Sequence, residues 1–461
     1  MLKKIIFLLL LSLPYILMAQ KLKVSENKRF LVTEDGKPFF WLADTAWELF
    51  HRCSKEEAEM YLRKRAEQGF NVIQAVALAE LDGLNVPNTE GELPLFNNDP
   101  TTPNSAYFNH VDDIIKLADE LGMYIALLPS WGDKVFTNNW GKGPEVFNPK
   151  NAEVFGTWIG KRYKDYDNII WVIGGDRNPR EGSQDVAIWN AMAEAIAEAA
   201  GGYEETLMSF HPQPNKYGGS STWFHQEKWL DFNMHQSGHC ANQGTYKNID
   251  HDYQLELVKP VLDAEPLYEE HPNCFQAKKL GYSVAGDIRR IMYWNVFAGG
   301  FGQSYGCHDV WQMYKEGREG INGPLRPWPL ALDLPMAHQV KHLKNLMLSR
   351  PFLSRIPDKL MVAIGQPETD DYVIASRDTD CTYAMIYIPT GKETAIDLRA
   401  FGAKPLKSWW YDTRTGISFE GPTITEARRF SVQPPSSGKG QDWVLVIDEI
   451  AKNYPRPGMP L

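Results

Sequence analysis

From about residue 38 to residue 350, short apolar runs rich in β-branched and aromatic side chains alternate with longer stretches. In the longer stretches, apolar positions return every three to four residues. The short runs have the character of buried strands and the long ones that of amphipathic helices. Residues 39–43 read as the first strand, which stops at Asp44-Thr45. Ser54 with Glu57 three positions on is the spacing of a capping box, and the helix it opens runs to about Gln68. The same alternation predicts strands at 71–76, 124–128, 169–173, 206–210, 232–235, 261–264 and 302–305. Helices are predicted at 111–121, 152–163, 186–200, 288–297 and 337–348. Eight such units in about 310 residues predict a (β/α)8 TIM barrel with enlarged loops over 20–350. A doubly wound sheet would carry a glycine-rich phosphate turn after its first strand; here that turn is Asp44-Thr45-Ala46-Trp47, without glycine. Beyond Pro351 the period changes to two, in runs at 360–364, 372–376, 381–388, 395–398, 406–411 and 443–447. That pattern predicts an antiparallel β-sandwich over 351–450. A tail at 451–461, with three prolines, is expected to be flexible.

Composition and the chain start narrow the function. Lys3 and Lys4 precede an apolar run at 5–19 that closes on Leu17-Met18-Ala19, the form of an export signal cut before Gln20. The run falls short of the roughly 20 residues that a membrane span needs. The expected location is the periplasm or the cell exterior, with no membrane span. Against 58 acidic residues stand 48 Lys and Arg, a formal charge of −10, so no basic field exists to hold nucleic acid. The 15 Trp and 20 Tyr suit a carbohydrate-handling surface. Five cysteines without a C-x-x-C spacing form no zinc ribbon. Cys240 and Cys274 are a candidate pair, but buried free thiols are the simpler expectation. No cofactor or metal is called for.

In a barrel of this kind, polar residues where a strand stops face the site. That filter selects Asp44, Asp133, Asp176, His211, His235, Glu265 and Tyr305. Two stand out by context. Asp176 follows a buried run and two glycines, and Glu265 ends the seventh strand. A carboxyl pair on strands four and seven is what retaining glycoside cleavage requires, one acid protonating the leaving oxygen and the other attacking the anomeric carbon from about 5–5.5 Å away. Asp44, Asp133, His211, His235 and Tyr305 are then expected to fix sugar hydroxyls, with Trp131 offering an apolar plane to a sugar face. The partner so implied is an oligosaccharide or polysaccharide.

Four stretches carry a family likeness: Phe40-Trp41-Leu42-Ala43-Asp44-Thr45-Ala46-Trp47-Glu48-Leu49, Ser130-Trp131-Gly132-Asp133, Trp171-Val172-Ile173-Gly174-Gly175-Asp176 and Leu262-Asp263-Ala264-Glu265-Pro266. Together they resemble glycoside hydrolase family 140, the apiosidases, which act on the pectic polysaccharide rhamnogalacturonan II. Ser408-Trp409-Trp410-Tyr411-Asp412-Thr413-Arg414-Thr415-Gly416 resembles the β-domain, labelled collagen-binding, that follows this barrel. The resemblance implies Asp176 as acid/base and Glu265 as nucleophile. It departs from the wider clan, which carries Asn-Glu where this chain has Gly175-Asp176. A substrate containing galacturonate would need a nearby cation, for which Lys134 and Arg177 are the candidates.

Two other chemistries leave traces. Gly302-Gln303-Ser304-Tyr305-Gly306 matches the G-x-S-x-G elbow of serine hydrolases, but a loop rather than a helix is expected after it. His235 and His239, and His338 and His342, have the spacing of a zinc-protease helix without its glutamate. A non-catalytic glycan- or matrix-binding protein on a degenerate barrel is the remaining alternative. The presence of both strand-end acids favours an enzyme.

Overall fold

A computed structural model describes residues 19–362, 366, 368–424 and 426–461. The export signal read at 1–19 lies outside them except for Ala19. Eight parallel strands follow in chain order: β1 Trp41–Thr45, β2 Val72–Leu78, β3 Tyr124–Ser130, β4 Ile169–Gly174, β5 Met208–His211, β6 Asn233–Gln236, β7 Val261–Glu265 and β8 Gly302–Tyr305. Every residue of all eight is buried, which is why their sequences read as continuous apolar runs rather than alternating ones. Hydrogen bonds join β1 through β5 in order, join β6 to β7, and bring β8 back onto β1 with Gly302 opposite Trp41. Two further links bridge the remaining neighbours. The Ser209 hydroxyl on β5 donates to the Phe232 carbonyl (2.6 Å), and the Phe301 N–H beside β8 donates to Val261 of β7 (3.2 Å). The sheet is therefore curled, its last strand on its first, with helices packed outside.

The first of these helices, Lys55–Glu67, starts as its sequence demands: Ser54 and Glu57 make both bonds of the capping box. Among the features that escaped the sequence pattern, two lie close to the barrel strands. A three-stranded antiparallel sheet, Leu22–Val24, Leu31–Thr33 and Pro38–Phe39, lies ahead of β1. Helix Tyr246–Tyr253 lies between β6 and β7. The G-x-S-x-G segment forms β8 and turns no elbow. Ser304 is fully buried and its Oγ accepts from Trp41 Nε1 (3.1 Å), so the serine is a wall residue. Cys240 and Cys274 form a disulfide, correcting the expectation of free thiols, whereas Cys53, Cys307 and Cys381 are free. Among the described residues, no helix is long and apolar enough to cross a membrane.

The C-terminal domain is antiparallel and β-rich. Strands β9 Arg355–Pro357, β10 Ile374–Asp378, β11 Tyr383–Ile388, β12 Thr394–Asp397, β13 Leu406–Asp412, β14 Ser418–Ile424, β15 Arg429–Val432 and β16 Trp443–Glu449 compose it. Six of them form a sheet in the order β9-β10-β11-β16-β13-β14, and β12 pairs with β15. The strand expected at 360–364 is instead a 3-10 turn at Lys359–Met361 followed by a single bridge at Val362; residues 363–365 lie outside the described set. The domain packs on helices Ala285–Phe297 and Pro335–Leu348 through a shared apolar core, with polar contacts set into it. Tyr293 stacks on Tyr387 with ring centroids 4.9 Å apart, and the Tyr411 hydroxyl donates to the His342 carbonyl (2.8 Å). In the last segment, the Tyr454 ring lies over the Arg350 guanidinium, 5.1 Å from its centroid, and its hydroxyl is 2.8 Å from Thr382 Oγ1.

Candidate active site

A cavity of about 890 Å³ opens where β1–β8 end. Asp176 and Glu265 both line it, together with Trp47, Glu80, Trp131, Trp140, Gln236, His239 and Tyr268.

The turn after β4 explains the Gly-Gly-Asp sequence. Gly174, Gly175 and Asp176 all have positive φ (87°, 137° and 50°). A Cβ on Gly174 would stand 2.6 Å from the Phe210 ring, and one on Gly175 equally close to Trp131. Only glycine lets the backbone turn this tightly between the two rings. Asp is among the few side-chain-bearing residues that accept the left-handed conformation readily. The turn thus delivers the short Asp carboxyl. Arg177 Nη1 (3.1 Å) and Trp140 Nε1 (3.2 Å) both donate to Asp176 Oδ2.

Glu265 ends β7 at a register shift in its pairing with β6. Two imidazoles flank it. His239 Nε2 is 3.3 Å from Oε1 and His211 Nε2 is 3.3 Å from Oε2. His211 Nδ1 also accepts from the Asp176 backbone N–H (3.4 Å), so a single ring spans the two acids. The electrostatics separate the pair. Burial, then the charge of Glu265, push the Asp176 carboxyl up to about 7, against the pull of Arg177. Burial also disfavours the Glu265 charge, but hydrogen bonds from His239 and Tyr268 and attraction to both imidazoles overcome it. Glu265 is thus held below the usual glutamate range. One carboxyl retains its proton near neutrality while the other is ionised, the division of labour that a glycosidase acid and nucleophile require.

Of the other residues expected here, Trp131 lines the cavity, its ring centroid 5.1 Å from that of Trp47. Four expectations are corrected. Asp44 is wholly buried, accepting from Arg65 and Tyr61 (both 2.6 Å), and holds helix Lys55–Glu67 to β1. Asp133 pairs with Lys134 (2.6 Å) and accepts the N–H groups of Lys142 and Gly143, so it shapes the loop after β3. His235 faces Asp252 (3.0 Å); despite burial, that imidazole, with His251 and Ser221, holds the Asp252 carboxyl down to about 2. Tyr305 donates to Glu269 (2.8 Å) below the site. All four lie outside the cavity lining, as does His211, whose buried ring serves the two acids rather than a sugar hydroxyl. Arg177 and Lys134 are buried as well: Arg177 braces Asp176 and Lys134 neutralises Asp133, so neither faces the cavity as a cation. The strand-end rule failed for these residues because strand ends also carry the side chains that pin helices and loops to the sheet.

The pattern missed Glu80, Trp140, Gln236, His239 and Tyr268. Glu80 was the accessible one: β2 runs to Leu78, two residues beyond the predicted end, which puts this acid just past the strand. Several polar atoms of lining residues have no hydrogen-bond partner among the described residues, namely Trp131 Nε1, Gln236 Oε1 and His239 Nδ1. Unsatisfied buried polar atoms are costly and mark a surface built for a hydroxyl-rich ligand.

Residues 25–354 match the family model described as the apiosidase-like catalytic domain. Residues 356–448 match one described as "Putative collagen-binding domain of a collagenase". No curated protein matches the chain. Among solved structures, a glycoside hydrolase family 5 protein from Bacteroides vulgatus is 33% identical, with 95% of this chain and 96% of that one covered and a TM-score of 0.86. A second, described only as a glycoside hydrolase, is 34% identical over 95% and 98% of the two chains, with a TM-score of 0.85.

Proposed function

The chain belongs to the apiosidase-like glycoside hydrolases, and from that premise we propose that it is an exported retaining enzyme that cleaves an apiose-containing linkage of pectic rhamnogalacturonan II. The curled parallel sheet is read as a closed (β/α)8 barrel and the C-terminal domain as a stabilising β-sandwich. The observation that carries the mechanism is the opposed proton affinity of two acids in one cavity, Asp176 raised to about 7 and Glu265 lowered.

In the first step Glu265 attacks the anomeric carbon as Asp176 gives its proton to the leaving oxygen, forming a glycosyl-enzyme ester. In the second, Asp176, now a carboxylate, takes a proton from water as the water displaces Glu265. His239 and Tyr268 hold the nucleophile in place and keep it ionised. Trp47 and Trp131 wall the sugar with apolar surface.

An acidic glycan suits the cavity mouth. Lys142 and Lys216 line it, are exposed, and have no carboxylate partner among the described residues. These two take over the part expected of Lys134 and Arg177. Trp140, Tyr217 and Phe275 add exposed rings beside them, which favours a chain of sugars over a lone monosaccharide.

Digestion of rhamnogalacturonan II fragments and a panel of other pectic and hemicellulosic oligosaccharides, by wild type and Glu265→Gln, tests the reading. Cleavage beside apiose by wild type alone is expected. Cleavage elsewhere replaces the substrate and keeps the mechanism. Binding without any cleavage returns the chain to the non-catalytic alternative.

A further inference from the structure

The cavity contains a third carboxyl that the two-acid mechanism leaves unused. Glu80 sits two residues beyond β2, between the turns that carry Trp47 and Trp131, and lines the same cavity as Asp176 and Glu265. Its backbone is fixed: the Asp82 N–H donates to the Glu80 carbonyl (2.7 Å), and the next N–H, of Leu81, donates to Glu48 (2.9 Å). Among the described residues, the Glu80 side chain has no hydrogen-bond or ion-pair partner. The charges that face it are Asp176, Asp133 and Glu48, all of its own sign, and Arg177. Arg177 is already committed, to the carbonyls of Phe136, Thr137 and Asp176 and to the Asp176 carboxylate. Glu48 shows what the fold does with a structural acid at this level. Its oxygens take the Leu81 N–H and the His51 imidazole, and Arg52 stands 3.5 Å away. Glu80 receives none of this.

We propose that Glu80 is a specificity-determining contact, its carboxyl hydrogen-bonding a hydroxyl of the sugar that lies between Asp176 and Glu265. The inference rests on the glycosidase reading of that cavity. Burial, reinforced by the like charges around it, holds Glu80 well above the usual carboxyl range, which favours its neutral, protonated form in the cavity. A neutral carboxyl donates through its hydroxyl and accepts through its carbonyl, whereas a carboxylate only accepts. A neutral Glu80 also adds no second negative charge beside Asp176. A sugar lacking the contacted hydroxyl would leave this half-buried acid unpaired, and sites built on such hydrogen bonds discriminate between substrates.

The test compares Glu80→Ala and Glu80→Gln with wild type, each first shown to melt like wild type, on whichever glycoside the wild type cleaves. Ala is expected to lower kcat/KM roughly 100-fold, mostly through KM, and Gln, which keeps a donor and an acceptor, to restore about tenfold of that. Through the pH range in which Glu80 loses its proton, KM of wild type should climb, while that of Glu80→Gln shows no such rise. Calorimetric titration of the same sugars into Glu265→Gln and into Glu265→Gln/Glu80→Ala reads the contact without turnover, so failure of the catalytic reading and failure of this one separate. Equal affinity in that pair, or Glu80→Ala within about threefold of wild type, overturns the proposal. A Gln variant as impaired as Ala overturns the neutral-donor role.

Discussion

Two regions of this molecule bury charge, and they do so in opposite ways. At the interface between the domains, Asp448 and Asp442 have donors on both carboxylate oxygens. Arg350 grips Asp448 with two bonds of 2.7 Å, and Trp409 Nε1 adds a third (2.9 Å). Asp442 receives Arg289, Tyr387 and Thr413 in the same manner. In the cavity, Glu80 has no partner, Glu265 Oε2 has no aligned donor, and Asp176 is crowded by the charge of its neighbour. These two carboxylates are matched to donors within the protein, although Tyr293 Oη and Asp287 Oδ1 at the same interface have no hydrogen-bond partner among the described residues. The cavity keeps its polar groups in reserve for a ligand, and the proton affinities of its acids are displaced as a result.

The contrast is sharpest for the acids given chemical roles. Glu265→Gln should lower kcat roughly 1,000-fold or more while substrate still binds, measured by turnover and calorimetry on one preparation. Retention of more than a few per cent of activity would remove Glu265 from the role of nucleophile. Asp176→Asn should cost roughly 100- to 10,000-fold on poor leaving groups, less on activated aryl glycosides, with azide restoring turnover of the latter. Equal losses on both classes would exclude an acid role.

The pH profile probes the same pair without mutation. The working form has Asp176 protonated, so kcat/KM should fall as pH rises through about 7. The acid limb should lie below the ordinary glutamate range, because Glu265 must be ionised and is held low. Asp176→Asn should abolish the alkaline limb.

At the interface the expected effect is on stability alone. Arg350→Met strands a buried carboxylate and should cost about 3–5 kcal/mol in denaturant unfolding, with kcat/KM of the folded protein unchanged. The double variant Arg350→Met/Asp448→Leu should recover much of that. A kinetic effect from either would link the two regions and break the contrast. Smallest of all, Lys142→Ala and Lys216→Ala should each raise KM for a uronate-bearing substrate about 3- to 10-fold, less at high salt and not at all for a neutral one.

Much of the fold could be read along the chain because its strands and helices announce themselves locally. The buried parallel strands are unbroken apolar runs, and Ser54 and Glu57 cap the helix they were expected to cap. Elements that draw their order from neighbours left little trace. The two- and three-residue strands ahead of β1 are too short to show a period, and β15 alternates over only four residues, two of them exposed. The site was legible to the same degree. Asp176 and Glu265 lie at the ends of strands whose apolar runs fix where they stop, and Trp131 follows β3 in the same way.

By itself, then, the sequence determined the alternation of strand and helix, the change of period near residue 351, and the two acids delivered to one end of the sheet. All of these follow from periodicity and from turn residues a few positions apart. Only the tertiary structure decided which strand-end polar groups face a ligand. Asp44, His235 and Tyr305 look like site residues until Arg65, Asp252 and Glu269, distant in sequence from most of them, are seen to claim them. Glu80, and His239 beyond its spacing from His235, drew no notice as site residues until the curl of the sheet brought them into the cavity. Burial and partnership depend on residues far apart along the chain, and it is these that separate a polar group built to hold the fold from one kept free to hold a sugar.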